Sequence, residues 1–184
     1  MRRRPDPPEL AHERAALLER PRHAVTNDDV RRYVRRRADD RCEYCLIPTN
    51  TMFHVDHVVP PGRWARDSAG AIAGLPWIPN RGGPHHVDND VWSCPFCNNT
   101  KSDKLPVRRR GRWVPLFDPR VDDWRAHVRL THGGLFIEGA GDVGRLTEDA
   151  LGFNETRRDL ARVGERHLLI KAGRYPPPGF GVAS

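Results

Sequence analysis

Two Cys-x-x-Cys pairs restrict the possible folds of this chain more than any other feature of its sequence. Cys42 and Cys45 form the first pair, Cys94 and Cys97 form the second, and together they account for all four cysteines in the 184 residues. Two such pairs supply the four thiolates of a tetrahedral zinc site, in which no coordination position remains for water. We therefore expect one structural zinc ion that joins two distant segments. The other interpretations of the pattern are a redox dithiol and buried thiols without a metal.

Composition and charge indicate a polyanionic partner. The chain has 31 Lys and Arg residues against 24 Asp and Glu residues, a formal net charge of +7 and an isoelectric point near 9.8. A basic surface of this kind typically binds nucleic acid, with DNA as the first candidate and RNA as the second. Most of the basic residues are Arg, in a chain also rich in Ala, Gly and Pro. Genomic base composition is therefore an alternative source of part of the excess.

No segment of the sequence indicates a membrane partner or secretion. All apolar runs are shorter than the roughly 18 to 20 residues of a membrane-spanning helix. The basic residues after Met1 are followed by charged and Pro-rich sequence, where a signal peptide would have its apolar core. We therefore expect a cytoplasmic protein, and the sequence does not indicate its oligomeric state.

A first helix is predicted directly before the first cysteine pair. Thr26 or Asn27 is suited to cap it, and acidic residues follow in its first turn. One face of this helix is apolar, whereas most of its arginines point outward. The apolar face consists of Val30, Tyr33, Val34 and Ala38.

The segment between and after the cysteine pairs predicts a strand, a loop, a strand and a helix. Residues 53–59 and 88–93 have strand composition, and residues 62–88 form a long loop rich in Gly and Pro. Pro95 is well placed at the first position of a helix that runs through Lys101.

The flanking segments predict smaller additions to a central domain. Residues 1–25 are expected to form a mobile arm or a peripheral helix, residues 26–115 the core, and residues 116–184 an extension packed on that core. Within the extension, residues 124–137 predict a hairpin with one basic face.

Two helices and an exposed tail are expected after this hairpin. Thr147 is a candidate cap for a short helix, and Asn154 is a candidate cap for a longer one that ends near Lys171. Its inward residues are expected to be Leu160, Val163, His167 and Ile170. The Pro-rich residues 176–179 are expected to lie exposed.

A set of polar residues with fixed spacing lies between and just after the cysteine pairs. It comprises Asp56-His57, Pro60, Gly82-Gly83, Asn89, Asn98 and Lys101. This pattern resembles that of the HNH endonucleases, in the variant whose last His is replaced by Asn. The resemblance covers residues 30–105 closely, and residues 116–154 are similar to a C-terminal continuation of some bacterial members. It implies an α+β fold with a ββα-metal core and a structural zinc site of four cysteines, with a helical N-terminal and a small C-terminal extension.

The resemblance also implies the roles of the site residues. His57 would be the general base, Asp56 and Asn98 would hold one catalytic Mg²⁺ or Mn²⁺, and Asn89 would fix the long loop so that His57 is correctly aimed. The chemistry agrees, because phosphodiester hydrolysis needs a proton acceptor for water and a cation for the charged phosphate. Neighbouring strand residues point to opposite faces, so Asp56 and His57 reach one site only if the strand is irregular there.

Basic residues at the end of the helix that carries Asn98, and just beyond it, are candidate phosphate contacts. They are Lys101, Arg108, Arg109, Arg110 and Arg112. The alternative is a solvated charged turn. His54 is expected to be a strand residue beside the site, with a ligand role as the alternative. His85 and His86 are either solvated loop residues or contacts for phosphate or metal, and Arg125, His127 and Arg129 are further candidate phosphate contacts.

The sequence therefore predicts a DNA endonuclease with one catalytic divalent ion. Two alternatives remain, namely a non-catalytic zinc module that binds nucleic acid and the same metal core acting on another substrate.

Overall fold

The computed structural model describes residues 6–20, 25–50, 52–61, 86–104, 107–109, 112–154 and 160–183, with backbone alone in parts of these ranges. The described residues form a mixed α+β fold of helices and small sheets. The loop predicted over residues 62–88 lies largely outside them, as do Gly82, Gly83 and His85. None of the described helices is both long enough and apolar enough to cross a membrane.

Two helices precede the first cysteine pair. A 3-10 turn, Pro8–Leu10, leads into α1 (Ala11–Glu19), and α2 follows at Asn27–Arg37. Thr26 caps α2 as predicted: its hydroxyl accepts a hydrogen bond from the Asp29 amide at 3.1 Å, and the Asp29 carboxylate accepts one from the Thr26 amide at 3.1 Å.

The predicted order of strand, strand and helix is confirmed. Strand β1 (His54–His57) pairs antiparallel with β2 (Asp90–Ser93), and α3 (Pro95–Lys101) follows with Pro95 in its first turn. Both strands are shorter than predicted. The pairing of the two strands ends at His57 and Asp90. Beyond this pair, the side chain of Asn89 forms hydrogen bonds with the backbone of Val59 in place of a strand partner.

The C-terminal part contains two further sheets and three helices among its described residues. Their bounds are β3 (Val107–Arg109), β4 (Arg112–Val114), α4 (Trp124–His127), β5 (Val128–Thr131), β6 (Phe136–Gly139), α5 (Gly141–Leu151), α6 (Leu160–Lys171) and β7 (Val182–Ala183). Strand β3 pairs with β4, and the second sheet has the order β6-β5-β7 with β7 parallel to β5.

The predicted hairpin is confirmed as the antiparallel pair β5 and β6, but its first strand begins at Val128 and not at Trp124. Residues 124–127 form a short helix, because the Asp123 side chain caps it through the Arg125 amide at 3.1 Å. The helical turn directs Trp124 into the core, where its indole nitrogen donates to the Tyr44 carbonyl at 2.8 Å. Arg129 remains exposed on β5.

The helix cap predicted at Thr147 is wrong. Thr147 lies inside α5, where its hydroxyl donates to the Val143 carbonyl at 2.7 Å and accepts from the Phe117 amide at 2.7 Å. Asn154 forms two hydrogen bonds with the backbone of Ile137, at 3.0 and 2.7 Å. The start of a helix capped by Asn154 would lie at residues 155–159, which are outside the described residues, so this cap stays a prediction.

The inner face of α6 also differs from the prediction. His167 is exposed, whereas Arg162 and Arg166 are buried and donate to backbone carbonyls. The hydropathy pattern did not identify the inner face of this helix, because arginine is usually a surface residue.

The N-terminal segment and the tail both contact the core. Leu10 and Leu17 belong to the buried cluster, which agrees with the peripheral-helix alternative for this segment. The expectation of an exposed Pro-rich tail is wrong at Pro177, which is buried beside the likewise buried Tyr175. Phe180 anchors the tail, because its ring lies 5.5 Å from that of Trp124 in an edge contact.

The first turn of helix α5 packs directly against the backbone of His127 and Gly139. A Cβ atom on Gly144 would lie 1.9 Å from the His127 carbonyl oxygen and 3.0 Å from the Gly139 carbonyl carbon. Only glycine therefore permits this approach of α5 to the β5-β6 hairpin.

Candidate metal centre and active site

The four cysteines come together in one buried cluster. Their exposed fractions are 0% for Cys42, Cys94 and Cys97 and 3% for Cys45, and their sulfur atoms all lie within 4.8 Å of one another. The Cys45 and Cys94 sulfurs are 3.7 Å apart. A tetrahedron with metal–sulfur bonds of about 2.3 Å has edges of about 3.8 Å, whereas a disulfide requires about 2.05 Å. This cluster can therefore hold a structural metal such as zinc.

Local backbone geometry shapes both cysteine pairs. In the first, the Leu46 amide donates to the Cys42 carbonyl at 2.8 Å, and Leu46 itself has a positive φ of 63°. In the second, Cys94 is the N-cap of α3, and its sulfur accepts from the Cys97 amide at 3.4 Å. The helix start and the tight turn thus point all four sulfurs to one centre.

His57 lies at the end of β1 beside an acidic residue of the paired strand. Its Nε2 atom is 3.6 Å from Oδ1 of Asp90, its partner in the strand register. The His57 side chain is 27% exposed, whereas that of Asp90 is 4% exposed. Burial raises the pKa of Asp90 to about 7, against the lowering effect of the Arg37 charge. The pair thus combines an accessible imidazole with a buried carboxyl group.

Asp56 faces α3. Its Oδ2 atom lies 3.2 Å from the Lys101 ammonium group, which also donates to the His57 carbonyl at 2.6 Å. Burial raises the pKa of Asp56, and the charge of Lys101 opposes that rise. Lys101 is only 2% exposed. The prediction that Lys101 contacts a nucleic-acid phosphate is therefore not supported, because its ammonium group is turned inward to Asp56.

Asn89 fixes the chain directly after β1. Its amide nitrogen donates to the Val59 carbonyl and its amide oxygen accepts from the Val59 amide, both at 2.9 Å. The Asn89 backbone carbonyl also accepts from the Val58 amide at 2.8 Å. Asn89 is fully buried, so these bonds take the place of a strand partner for the backbone of Val59.

A buried ionic network lies behind the strand pair. Arg37 donates to Glu43 at 3.1 Å and to the backbone carbonyl of Asp90. Arg120 lies 3.6 Å from the other oxygen of Glu43 and donates to Asp6 at 3.1 Å. Because each buried charge has an opposite partner, the desolvation cost of the group is largely offset. This network holds the backbone of Asp90 next to His57.

A cavity of about 510 Å³ opens beside His57. Its walls come from α1, from the start of α2 and from the strand pair. They include the polar side chains of His57, His86 and Asp90 and the apolar side chains of Leu17, Val30 and Val55. Asp56 is not among the described residues that line it. His57 and Asp56 therefore face different surroundings, as expected for neighbouring residues of a regular strand.

The remaining predicted residues are less clearly placed at the site. Asn98 lies half-buried on α3, directly after Cys97. Arg108, Arg109 and Arg112 belong to the β3-β4 hairpin, but their side chains are outside the described part of the structure, and so is Arg110. His54 is exposed on β1.

Sequence reasoning missed several buried charged residues around these centres, among them Asp90, Arg37 and Arg162. Asp90 directly follows Asn89, and its position next to the apolar pair Val91 and Trp92 was its signal. Arg37 lies on the same helical stripe as Tyr33 and Val34, so periodicity could have placed it on the buried face of α2. Arg162 lies 3.0 Å from the Cys97 sulfur although 65 residues separate them, so no spacing motif reveals it.

Comparison with known proteins adds no relative to this picture. The chain matches no protein-family model, no curated protein and no solved structure.

Proposed function

We propose that this protein is a metal-dependent endonuclease that hydrolyses phosphodiester bonds in DNA, on a ββα-metal core stabilised by zinc. The observation that carries the proposal is the accessible His57 imidazole beside buried Asp90, at the mouth of a cavity. The Asn89 contact with Val59 supports it further, because it fixes the chain that follows His57. The net charge of +7 favours a polyanionic substrate.

His57 serves as the general base in this proposal. Asp90 lies near Nε2 and, as a carboxylate, favours the tautomer with a proton on that nitrogen, so that Nδ1 is the nitrogen that accepts a proton in this proposal. A proton then passes from water to Nδ1 as the water oxygen attacks phosphorus and the bond to the leaving oxygen breaks.

Asp56 and Asn98 are the proposed ligands of the catalytic cation. Because Asp56 and His57 point to opposite faces of a regular strand, the proposal requires β1 to become irregular at His57 when cation and substrate bind. The chemistry of this donor set suits Mg²⁺ or Mn²⁺, because it offers one charged and one neutral oxygen and leaves positions for water and phosphate. Oδ2 of Asp56 is buried without a hydrogen bond from the described residues, although Lys101 is near it. When bound, a divalent cation would stabilise the negative charge of the phosphate and the leaving oxygen. Lys101 would have to move away from Asp56, since two positive charges compete for that carboxylate.

The four cysteines are the proposed ligands of a separate structural zinc ion. Their sulfurs are buried and close enough to fill a tetrahedral site, which supports a role in stability and not in hydrolysis.

A plasmid assay tests the proposal. Wild-type protein with Mg²⁺ or Mn²⁺ should convert supercoiled plasmid into open or linear forms. His57→Ala should lose this activity and keep its zinc content. His54→Ala is the matched control, because His54 is an exposed histidine on the same strand, and it should cleave like the wild type. Equal cleavage by His57→Ala and wild type would refute the assignment of the base.

The contact of Lys101 with Asp56 favours a second candidate, a non-catalytic zinc module that binds nucleic acid. The Lys101 ammonium group already neutralises this carboxylate without a metal ion. That candidate predicts that the protein binds labelled DNA and does not cleave it with either Mg²⁺ or Mn²⁺. Cleavage of another phosphate ester, but not of DNA, would indicate the same core acting on a different substrate.

A further inference from the structure

Arg162 contacts the cysteine cluster from a distant part of the chain. It is 4% exposed, and one guanidinium nitrogen lies 3.0 Å from the Cys97 sulfur. The other terminal nitrogen donates to the carbonyls of Leu151 and Gly152 at 2.7 and 2.8 Å. The guanidinium also lies 5.4 Å from the Phe96 ring centre. These contacts fix its position on several sides.

The charge of the cluster explains why a cation is needed there. Four thiolates and one Zn²⁺ have a formal charge of about −2, and the cysteines of this cluster are almost fully buried. Two backbone amides donate to the sulfurs, from Cys94 to Cys42 and from Cys97 to Cys94, both at 3.4 Å. These donors are neutral. Arginine stays protonated even when buried, so Arg162 adds a full positive charge.

The other groups that Arg162 contacts also carry negative charge. Leu151 and Gly152 lie at the C-terminal end of α5, where helix carbonyls carry partial negative charge. Arg162 therefore bridges two electronegative groups, the end of α5 and the Cys97 sulfur.

We propose that Arg162 is a cationic part of the metal site that stabilises the zinc–thiolate centre through its hydrogen bond to Cys97. This proposal rests on the zinc site proposed above and is independent of nuclease activity. The competing explanation is that Arg162 only satisfies the carbonyls at the end of α5.

Arg166→Gln provides a matched control for Arg162→Gln. Arg166 is also buried in α6, at 2% exposure, and also donates to carbonyls, those of Leu135 and Phe153. No sulfur is among its hydrogen-bond acceptors in the described part of the chain. Both substitutions remove a buried cation, but only one removes a donor to the metal site.

The measurement is the zinc affinity of purified full-length protein, by competition with a chromophoric chelator. Loss of an outer-shell partner typically weakens metal binding by about 10 to 100 times, and we expect a loss in that range for Arg162→Gln. Arg166→Gln should remain within about threefold of the wild type. Equal affinities for wild type and Arg162→Gln, or equal losses in the two variants, would overturn the proposal. A wild-type protein that binds no zinc would instead refute the metal site.

Cobalt substitution gives a second readout that helix packing does not control. A hydrogen bond to a thiolate weakens its donation to the metal, so its loss should shift the sulfur-to-cobalt charge-transfer band of Arg162→Gln to lower energy. If Arg162→Gln does not fold, Arg162→Met decides the question, because it removes both the charge and the donor and keeps an extended side chain. A band shift in folded Arg162→Met supports the proposal, and an unchanged band overturns it.

Discussion

Asn89→Ala tests how the chain is held beside His57. The side chain of Asn89 is fully buried and makes two hydrogen bonds of 2.9 Å to the backbone of Val59. Alanine removes both bonds and leaves a buried peptide group of Val59 without these partners. The substitution changes no charge and removes no apolar contact surface, so its effect reports mainly on these two bonds.

The magnitude follows from the two bonds and the groups they leave behind. Each intramolecular hydrogen bond contributes about 1 kcal/mol net, and each buried group left unpaired costs about 1 to 3 kcal/mol. For two such groups at about 1 to 2 kcal/mol each, we expect the free energy of unfolding to fall by roughly 2 to 4 kcal/mol. For a protein of this size, this corresponds to a decrease in Tm of about 5 to 15 °C.

Urea unfolding followed by circular dichroism measures this change, with zinc content checked in both proteins. Asn99→Ala is the control, because Asn99 is exposed on the neighbouring helix α3 and should change the unfolding free energy by no more than about 0.5 kcal/mol. A loss for Asn89→Ala that is equally small would refute the reasoning. At a temperature where Asn89→Ala is folded, it should also cleave plasmid more slowly than the wild type, because His57 is less well fixed.

Three further results are expected from perturbations elsewhere in the molecule. Removal of zinc with a strong chelator should lower the Tm reversibly, with recovery on addition of zinc, and an unchanged Tm would contradict a structural metal site. Burial raises the pKa of Asp90 to about 7, so between about pH 4 and pH 7 the folded protein keeps a proton that the unfolded chain has lost. The free energy of unfolding should therefore fall as the pH rises through this range. Urea titrations at several pH values should show a smaller dependence of this free energy on pH for Asp90→Asn than for the wild type. An equal dependence in the two proteins would refute the reasoning. Gly144→Ala should destabilise the protein by at least about 3 kcal/mol, since its Cβ would overlap the His127 carbonyl, whereas Gly164→Ala, with open space at its Cβ, should stabilise α6 by about 0.5 to 1 kcal/mol. Thermal unfolding distinguishes the two, and a similar Tm for both variants would contradict the packing described for α5.

The features that the sequence predicted depend on short-range signals. The cysteine pairs, the Thr26 cap and Pro95 at the start of α3 each act within a few residues, and a spacing rule captures each of them. The order of strand, strand and helix follows from the same local patterns. Asn89 was selected through the resemblance to a family pattern, which implied that it fixes the long loop. Its contact with Val59 was not predicted.

The features that the sequence did not predict depend on contacts between distant segments. Arg120 and Arg162 are buried because Asp6 and the Cys97 sulfur lie opposite them, and no pattern along the chain records these pairs. Thr147 has the composition of a helix cap. Its hydroxyl instead accepts a hydrogen bond from the Phe117 amide, across elements that a local rule treats as unrelated.

The cross-links between segments bear on how such a protein can evolve. Trp124 donates to Tyr44, Tyr33 donates to Asp6, and Arg162 donates to Cys97, so the central residues are held from both flanks. A gene fragment that encodes only residues 26–115 would lose all three contacts. Recombination that transfers this fragment to another protein would therefore have to supply new partners for it.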